Sequence, residues 1–333
     1  KRKQVQIGLL IDNSGVSNVI DGVQAQLSVT ANGLLREGDS TRVAGYLPFY
    51  PERYQFYSLS HSTPIGGNGA TLTANIAHME SRVRDRPIEG EATLAGMTLS
   101  HALVRTNRSN VTVNASLDGI DSSNYFLDVR FGDYRSRVVR LGASWSQSDA
   151  RSGHALSAVV SQGVGILGAR AFTGFSEKHF TKVNAQAVAV RTVSKRLSFK
   201  LTAKAQYSAD KLPVTERFSL GGRGAGMAFR VGTRTAERAL AGSAELNWTP
   251  ARAPPLQKAA LFAYVDGAIA HEVARPYYRL PARDFSLASA GGGVRIGIGA
   301  KWRASAELAV PVKRIDSGDS RKARFFFGIG RAF

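Results

Sequence analysis

Apolar and polar residues alternate along most of this chain with a period of two. At residues 197–208, Leu, Phe, Leu, Ala, Ala and Tyr occupy one face, while Ser, Lys, Thr, Lys, Gln and Ser occupy the other. Residues 23–30, 111–118 and 301–313 repeat the pattern. A strict period of two predicts strands that are apolar on one face and polar on the other, and no segment shows a convincing helical period.

The alternating segments are too long and too numerous for an ordinary soluble sheet. Soluble strands usually have ~5–6 residues, whereas many of these reach the ~9–11 residues that a tilted strand needs to cross a bilayer. No apolar run approaches the ~20 residues of a transmembrane helix. About sixteen strands are predicted, an even number typical of bacterial outer-membrane barrels: residues 4–11, 20–31, 41–47, 54–61, 70–79, 91–104, 110–117, 134–146, 153–162, 180–192, 196–207, 240–248, 259–270, 285–298, 301–312 and 322–333.

The connections between these strands alternate in length, as they do in such barrels. Residues 62–69, 105–109, 194–195 and 299–300 are short enough for periplasmic turns, whereas 118–133, 163–179 and 271–284 are predicted as extracellular loops. Residues 209–239 form the longest connection, and a loop of that size requires a function. The fold prediction is therefore all-β: residues 1–333 form one transmembrane antiparallel barrel, and residues 209–239 fold inward as its sixth extracellular loop.

Charge adds a candidate property of the pore. The chain has 44 Lys and Arg against 25 Asp and Glu, a net charge of +19. The cations are spread along the chain rather than clustered, so nucleic acid is not expected as a partner. Those predicted to face the lumen are either a solvated pore lining or a positive interior that favours anions: Lys182, Lys200, Lys204, Arg295, Lys301 and Arg303.

Little in the sequence points to catalysis. The glycines Gly222, Gly224 and Gly226 are spaced as in a phosphate loop, but no helical pattern follows them. There is no cysteine, which excludes thiolate chemistry, and the six histidines lack metal-ligand spacing. A hydrolase assembled from Ser, His and Asp across strands is not excluded, although no such grouping recurs on one strand face. The sequence therefore predicts no enzyme, cofactor or metal site.

The end of the chain alternates aromatic and small residues. Phe325, Phe327, Ile329 and Phe333 share one face of a final strand that ends on an aromatic residue. Arg331 interrupts that face near its end, where a long side chain could snorkel to the membrane interface. A strand of this kind resembles the C-terminal signature by which bacterial outer-membrane proteins are recognised for assembly. A plain C-terminal edge strand is the alternative interpretation.

Several motifs, in order along the chain, resemble the two-partner secretion transporters of the TpsB type. They are IDNSG at residues 11–15, NGLLREGD at 32–39, YSLSHSTPI at 57–65, FSLGGR at 218–223, FAYVDG at 262–267 and LASAGGGVR at 287–295. The resemblance implies a sixteen-stranded outer-membrane barrel that secretes an unfolded TpsA-like exoprotein without nucleotide hydrolysis. It also implies two POTRA domains and a plug helix before the barrel. Neither precedes Lys1, so the chain is expected to be the barrel portion, acting as a monomer.

The loop departs from the family pattern at one place. The family's loop carries a Val-Arg-Gly-Phe/Tyr tetrad whose arginine pairs with an acidic residue of the barrel wall. Counted from Gly221 and Gly222, the arginine position holds Met227, and only the aromatic Phe229 is retained. The acidic partner implied by the resemblance is Asp266, and we expect Arg223 or Arg230 to replace the missing arginine because an unpaired buried carboxylate is costly.

Two other functions stay open from the sequence. One is an insertase of outer-membrane barrels from the same superfamily, in which the arginine tetrad would be expected. The other is a passive, anion-preferring porin.

Overall fold

The alternating segments form one closed antiparallel barrel of sixteen strands, which confirms the predicted fold class. The structure is a computed structural model that describes residues 4–16, 19, 22–50, 53–83, 86–127, 129–250, 256–299, 301–316 and 321–332. The barrel strands are β1 (Val5–Asp12), β2 (Gln24–Asn32), β3 (Ser40–Pro48), β4 (Tyr54–Ile65), β5 (Ala70–Arg82), β6 (Ile88–Arg105), β7 (Ser109–Phe126), β8 (Val129–Ser148), β9 (Ser152–Gly163), β10 (Thr181–Thr192), β11 (Leu197–Tyr207), β14 (Arg238–Trp248), β15 (Leu256–Glu272), β16 (Arg283–Ile298), β17 (Trp302–Lys313) and β18 (Arg324–Ala332).

Each barrel strand pairs with its neighbours in the chain, and β1 pairs with β18 to close the ring. Closure leaves no strand with an unpaired edge, which is the condition for a sheet in lipid. Because the strand number is even, β1 begins and β18 ends at the same end of the barrel, here called the terminal end. The opposite end, here called the loop end, carries the long connections 164–180, 208–237 and 273–282.

The outer surface of the barrel is apolar. Large aliphatic and aromatic side chains project outward from strands around the barrel and are at least one-third exposed; examples are Leu27, Val43, Leu59, Ile76, Met97, Leu141, Leu156, Leu201, Val265 and Leu308. An apolar surface this extensive is typical of contact with a membrane or another protein. No helix in the part of the chain that the structure describes is long and apolar enough to cross a membrane.

One predicted loop is in fact strand. β7 and β8 pair from Ser109↔Gln147 to Phe126↔Val129 with one register shift between Asn124 and Tyr125, so residues 118–126 and 129–133 belong to a long hairpin. The turn is tight, and Leu127 takes it with a φ of 48°. The sequence prediction failed here because residues 121–124 are polar on both faces. A strand with water on both sides loses the alternation that marks the rest.

The connection between β11 and β14, residues 208–237, is here called the lumen loop. It was expected to lack secondary structure, but it contains a short hairpin of β12 (Phe218–Leu220) and β13 (Arg234–Ala236). The largest buried apolar cluster joins this loop to the inner faces of β14–β18: Leu220, Ala225, Met227, Ala228, Phe229, Ala236, Ala239, Ala241, Phe262, Tyr264, Ala268, Ala270, Leu287, Ala309 and Phe326. The core of this barrel is therefore the packing of its own loop against one wall.

Candidate functional site

The tip of the lumen loop, residues 221–229, is a compact turn made possible by glycine. Gly221, Gly222, Gly224 and Gly226 all have positive φ, from 74° to 102°. The amide of Gly221 donates to the Ala225 carbonyl at 2.9 Å, and the amide of Gly222 donates to the Phe229 carbonyl at 2.9 Å. A side chain at Gly221 would meet the Arg230 carbonyl oxygen at 2.0 Å. Only glycine permits both this backbone conformation and this close approach.

The folded tip presents a set of backbone N–H groups to Asp266 on β15. The amides of Gly224, Gly226 and Met227 donate to Asp266 Oδ2 at 3.2, 3.1 and 3.0 Å. The Ser289 hydroxyl donates to the other carboxylate oxygen. Successive N–H groups in turns of this kind form an anion-binding concavity, or nest. A buried carboxylate that accepts several such hydrogen bonds has its charge compensated without a cation.

The prediction that Arg223 or Arg230 pairs with Asp266 is therefore wrong. Arg223 pairs instead with Glu307 of β17, with Nη2 and Oε2 at 2.7 Å. Among the residues that the structure describes, the partners of the Asp266 carboxylate are the three amides and the Ser289 hydroxyl, and Arg230 is not one of them. Backbone amides occupy the place that the resemblance assigned to a guanidinium.

The environment of Met227 accounts for the absence of arginine at that position. Its side chain is 6% exposed and belongs to the buried cluster with Phe229 and Leu287. A cation buried in such surroundings needs a partner, and the nearby carboxylate already has hydrogen bonds from the backbone. Methionine fills an irregular apolar gap of this kind well.

A second anchor ties the base of the lumen loop to β8 and β10. Glu216 is 2% exposed, and its carboxylate accepts from Lys182 Nζ of β10 at 2.6 Å and from Arg140 Nη2 of β8 at 2.6 Å. Arg140 also pairs with Asp118 of β7 at 2.9 Å. One loop carboxylate is thus held between two cations of the barrel wall.

The charge state of Glu216 follows from these contacts. Burial alone would raise the pKa of its carboxyl, but the hydrogen bonds and positive charge of Arg140 and Lys182 outweigh burial and hold that pKa below its ordinary value. Glu216 is therefore ionised at neutral pH, and the anchor is a charged one.

A third cluster joins three connections at the loop end. Arg275 and Arg217 both contact Glu237, at 2.6 and 3.0 Å, and both contact Glu272, at 3.3 and 3.1 Å. The two guanidinium groups lie over the ring of Phe175, with centroid distances of 4.6 and 5.0 Å. Because Phe175 lies in the β9–β10 connection, this cluster fixes the lumen loop to the connections on either side of it.

The predicted lumen cations divide into different environments. Lys182 contacts Glu216, and Arg295 pairs with Glu245 at 2.7 Å while covering the ring of Phe262 at 3.7 Å. Lys200 lies directly opposite Glu245 in the strand register, and Lys204 and Arg303 occupy inward register positions of β11 and β17. Lys301 lies in the exposed turn before β17, so its prediction as part of the lumen wall is wrong.

The last strand carries its aromatic face outward. Phe325 and Ile329 are 59% and 44% exposed, and Phe327 is half-buried on the same face. Phe326 points inward into the apolar cluster. Arg331 stacks over the Trp302 ring at 4.9 Å on the outer surface. Phe333 lies outside the described residues.

Sequence reasoning missed Glu216, Arg140, Ser289, Glu307 and Arg275. Strand alternation marks Ser289 and Glu307 as inward positions, but it does not say which strands the lumen loop will contact. Glu216 and Arg275 lie in connections, where charged residues are common and usually solvated. Among the described residues no group of acidic and histidine side chains is arranged to hold a metal ion.

The fold and this site define a transmembrane barrel whose lumen is occupied by one of its own loops. The family profile described as "Haemolysin secretion/activation protein ShlB/FhaC/HecB" matches residues 1–296. The chain belongs to this family, and it is an outer-membrane β-barrel. No curated protein sequence matches it.

Three solved structures share the fold of this chain. CdiB from Escherichia coli superposes with a TM-score of 0.87 at 20% identity, covering 100% of this chain and 63% of its own. CdiB from Acinetobacter baumannii superposes with a TM-score of 0.77 at 16% identity, covering 100% of this chain and 60% of its own. BamA from Haemophilus ducreyi lacking POTRA domains 1-3 superposes with a TM-score of 0.69 at 15% identity, covering 100% of this chain and 71% of its own. The chain thus spans less than two thirds of the CdiB chains.

Proposed function

We propose that this barrel secretes an unfolded partner exoprotein across the outer membrane, with the lumen loop as its plug. The observation that carries the proposal is the lodging of residues 208–237 inside the barrel of a secretion/activation family member. The loop is held by polar contacts at Glu216, Glu237 and Asp266. Polar anchors of this kind can exchange partners with water, unlike a covalent or wholly apolar plug.

The proposal includes a direction and further parts. The loop end faces outside the cell and the short turns face the periplasm. POTRA domains before the barrel receive the exoprotein, as the resemblance implies, and the barrel acts as a monomer in lipid. The outward aromatic face of β18, with Phe325, Phe327 and Ile329, serves as the signal for the assembly machinery. Transport needs no bound cofactor in this scheme.

Secretion is tested with the complete gene and its candidate exoprotein gene in a Gram-negative host that lacks both. The exoprotein should reach the medium only when the barrel is present. Exoprotein that stays in the periplasm while the barrel is folded in the outer membrane contradicts the proposal. A loss of other outer-membrane barrels when the native gene is depleted supports an insertase instead.

The plug is tested separately by planar-bilayer conductance. Deleting residues 212–236 removes the loop but keeps the strands on either side, so the mean conductance should rise severalfold. An unchanged conductance means that the loop does not occlude the pore. Anion preference without any exoprotein secretion supports a porin.

A further inference from the structure

The lipid-facing wall has a recessed area, a groove across the outer faces of β11, β14, β15 and β16. Its open volume is about 450 Å³. Its outward-facing lining residues are Ala203, Leu240, Gly242, Gly267, Ile269, Ser286 and Lys313. This groove lies on the outside of the barrel, apart from the lumen loop, and secretion through the lumen does not use it.

A row of small residues creates the recess. Ala203 lies opposite Gly242, which lies opposite Gly267, so three neighbouring strands are small at the same level. Above this row Leu240 lies opposite Ile269, and these side chains are 53% and 60% exposed. A side chain at Gly267 would meet the Leu287 carbonyl oxygen at 2.6 Å. The wall is therefore fixed as a shallow apolar slot below two projecting aliphatic side chains.

The edge of the groove nearest the loop end is cationic. Lys313 lines the groove, whose other outward side chains are apolar apart from Ser286. Arg238 lies two residues beyond Leu240 on the same face of β14, which puts their Cα atoms roughly 6.6 Å apart. Its guanidinium lies over the Tyr207 ring at 5.1 Å, and its Nε donates to the Ser208 carbonyl at 3.1 Å. This contact holds Arg238 at the rim.

These two cations have no carboxylate within ion-pair distance among the residues that the structure describes. The nearby Asp284 is occupied by His271, with Nδ1 and Oδ1 at 2.8 Å. The lumen cations Arg140, Lys182 and Arg295, in contrast, each pair with a carboxylate. A positive charge placed at the edge of an apolar, lipid-facing groove is a costly arrangement unless an anionic group of the membrane meets it.

We propose that this groove binds the phosphorylated glycolipid of the outer leaflet. One acyl chain lies in the slot beneath Leu240 and Ile269, one phosphate of the diphosphorylated headgroup contacts Lys313, and the other contacts Arg238. Basic residues beside an apolar membrane-facing pocket are the usual chemistry of lipid headgroup recognition. The choice of glycolipid over phospholipid rests on the orientation in which the loop end faces outward.

The test uses the intact barrel in detergent, titrated with diphosphoryl lipid A and followed by native mass spectrometry. Lys313→Gln should weaken binding about tenfold, equivalent to about 1.4 kcal/mol, and adding Arg238→Gln should weaken it further. Arg191→Gln, which removes an exposed cation near the terminal end, is the matched control and should bind as the wild type does. Heat-modifiable migration checks that each variant is folded.

The apolar part of the groove has its own test. Ala203→Phe should fill the slot from an exposed position and lower lipid A binding, whereas Ala143→Phe, at an exposed position of β8, should not. Equal binding by wild type, Lys313→Gln and Ala203→Phe overturns the proposal. Equally tight binding of dephosphorylated lipid A also overturns it, because the phosphate then plays no role. Equally tight binding of phosphatidylglycerol overturns the preference for glycolipid.

Discussion

Two walls of the lumen differ in the side chains that they present. The inner face of β4–β7 is lined mainly by hydroxyl and amide groups, from Ser58, Ser60, Ser62, Thr71, Thr73, Asn75, Thr98, Ser100, Asn114 and Ser116. The inner faces of β8, β10 and β14–β17 present Arg140, Lys182, Glu245, Asp266, Arg295 and Glu307. The lumen loop contacts the charged wall.

The contrast shows what the charges do. Hydroxyl and amide groups can bond to neighbours on the same wall, as Ser62 does with Thr73 at 2.8 Å. Charged groups out of water need partners of opposite sign, and a loop that brings such a partner binds at one register only. The charged wall therefore specifies where the loop docks, while the neutral wall offers it no comparable anchor.

Removing the loop carboxylate that pairs with two wall cations, Glu216, should have the largest effect on this contrast. Glu216→Gln leaves Lys182 buried without its counter-charge and leaves Arg140 with Asp118 alone, and breaking a buried pair costs about 3–5 kcal/mol. We expect the lumen loop to leave the wall, seen as faster protease cleavage within residues 208–237. Glu245→Gln breaks a lumen ion pair that does not involve the loop and should leave cleavage unchanged. Equal protection of the loop in Glu216→Gln contradicts this role.

The tip should respond to loss of its acceptor. Asp266→Ala leaves the amides of Gly224, Gly226 and Met227 without their carboxylate, at about 1–3 kcal/mol for an unsatisfied buried group. Hydrogen exchange of the peptide that contains these amides should accelerate by roughly one to two orders of magnitude. Ser289→Ala, which removes only the hydroxyl, should give a smaller change. Exchange as slow as in the wild type means that the amides have other acceptors.

Acid should release the same anchor as the Glu216 substitution. The pKa of Glu216 in the folded protein lies below its ordinary value of about 4.3, because Arg140 and Lys182 favour the charged form over the effect of burial. Its stabilisation is present above the ordinary pKa and is lost as the pH falls through the folded pKa. Conductance should therefore rise on acidification below about pH 4 in the wild type. Glu216→Gln should lack this component, and an identical profile in both proteins refutes the assignment.

A smaller effect is expected at the exposed side of the tip. The Arg223 side chain is 62% exposed although Glu307 is 4% exposed, so water screens much of their interaction. Arg223→Gln should destabilise tip docking by about 1 kcal/mol, measured by hydrogen exchange of residues 221–229. Added salt should weaken tip docking in the wild type until its hydrogen exchange approaches that of Arg223→Gln. A loss as large as that in Asp266→Ala shows that the pair is better shielded than its exposure indicates.

Substitutions in the neutral wall should have almost no effect on the lumen loop. Asn75→Ala removes an exposed amide from the inner face of β5, and a change of this kind is expected within about 0.5 kcal/mol. Loop protection and conductance should match the wild type. If this substitution releases the lumen loop as Glu216→Gln does, the two walls do not differ in the way proposed.

Much of this molecule is readable from the sequence. Period-two alternation over long segments predicts all sixteen barrel strands, because lipid outside and water inside impose opposite polarities on successive residues. Alternation also places Asp266 and Tyr264 on the inward face. It fails at residues 118–133, where residues 121–124 are polar on both faces, and at Lys301, which lies in the turn before β17 begins.

By itself the sequence determined the barrel, the number of its strands, the unusual length of the connection at residues 209–239 and the departure at Met227. Only the tertiary structure decided how the loop is held. Strand patterning is local, since the alternation of neighbouring residues decides which face each side chain occupies. The contacts that hold the lumen loop, in contrast, join residues that are far apart in the sequence. Asp266 is satisfied by backbone amides, which every residue except proline carries, so no side-chain motif could reveal them. The sequence shows this backbone site only through four glycines in six positions, because glycine allows the loop tip to direct those amides at one carboxylate.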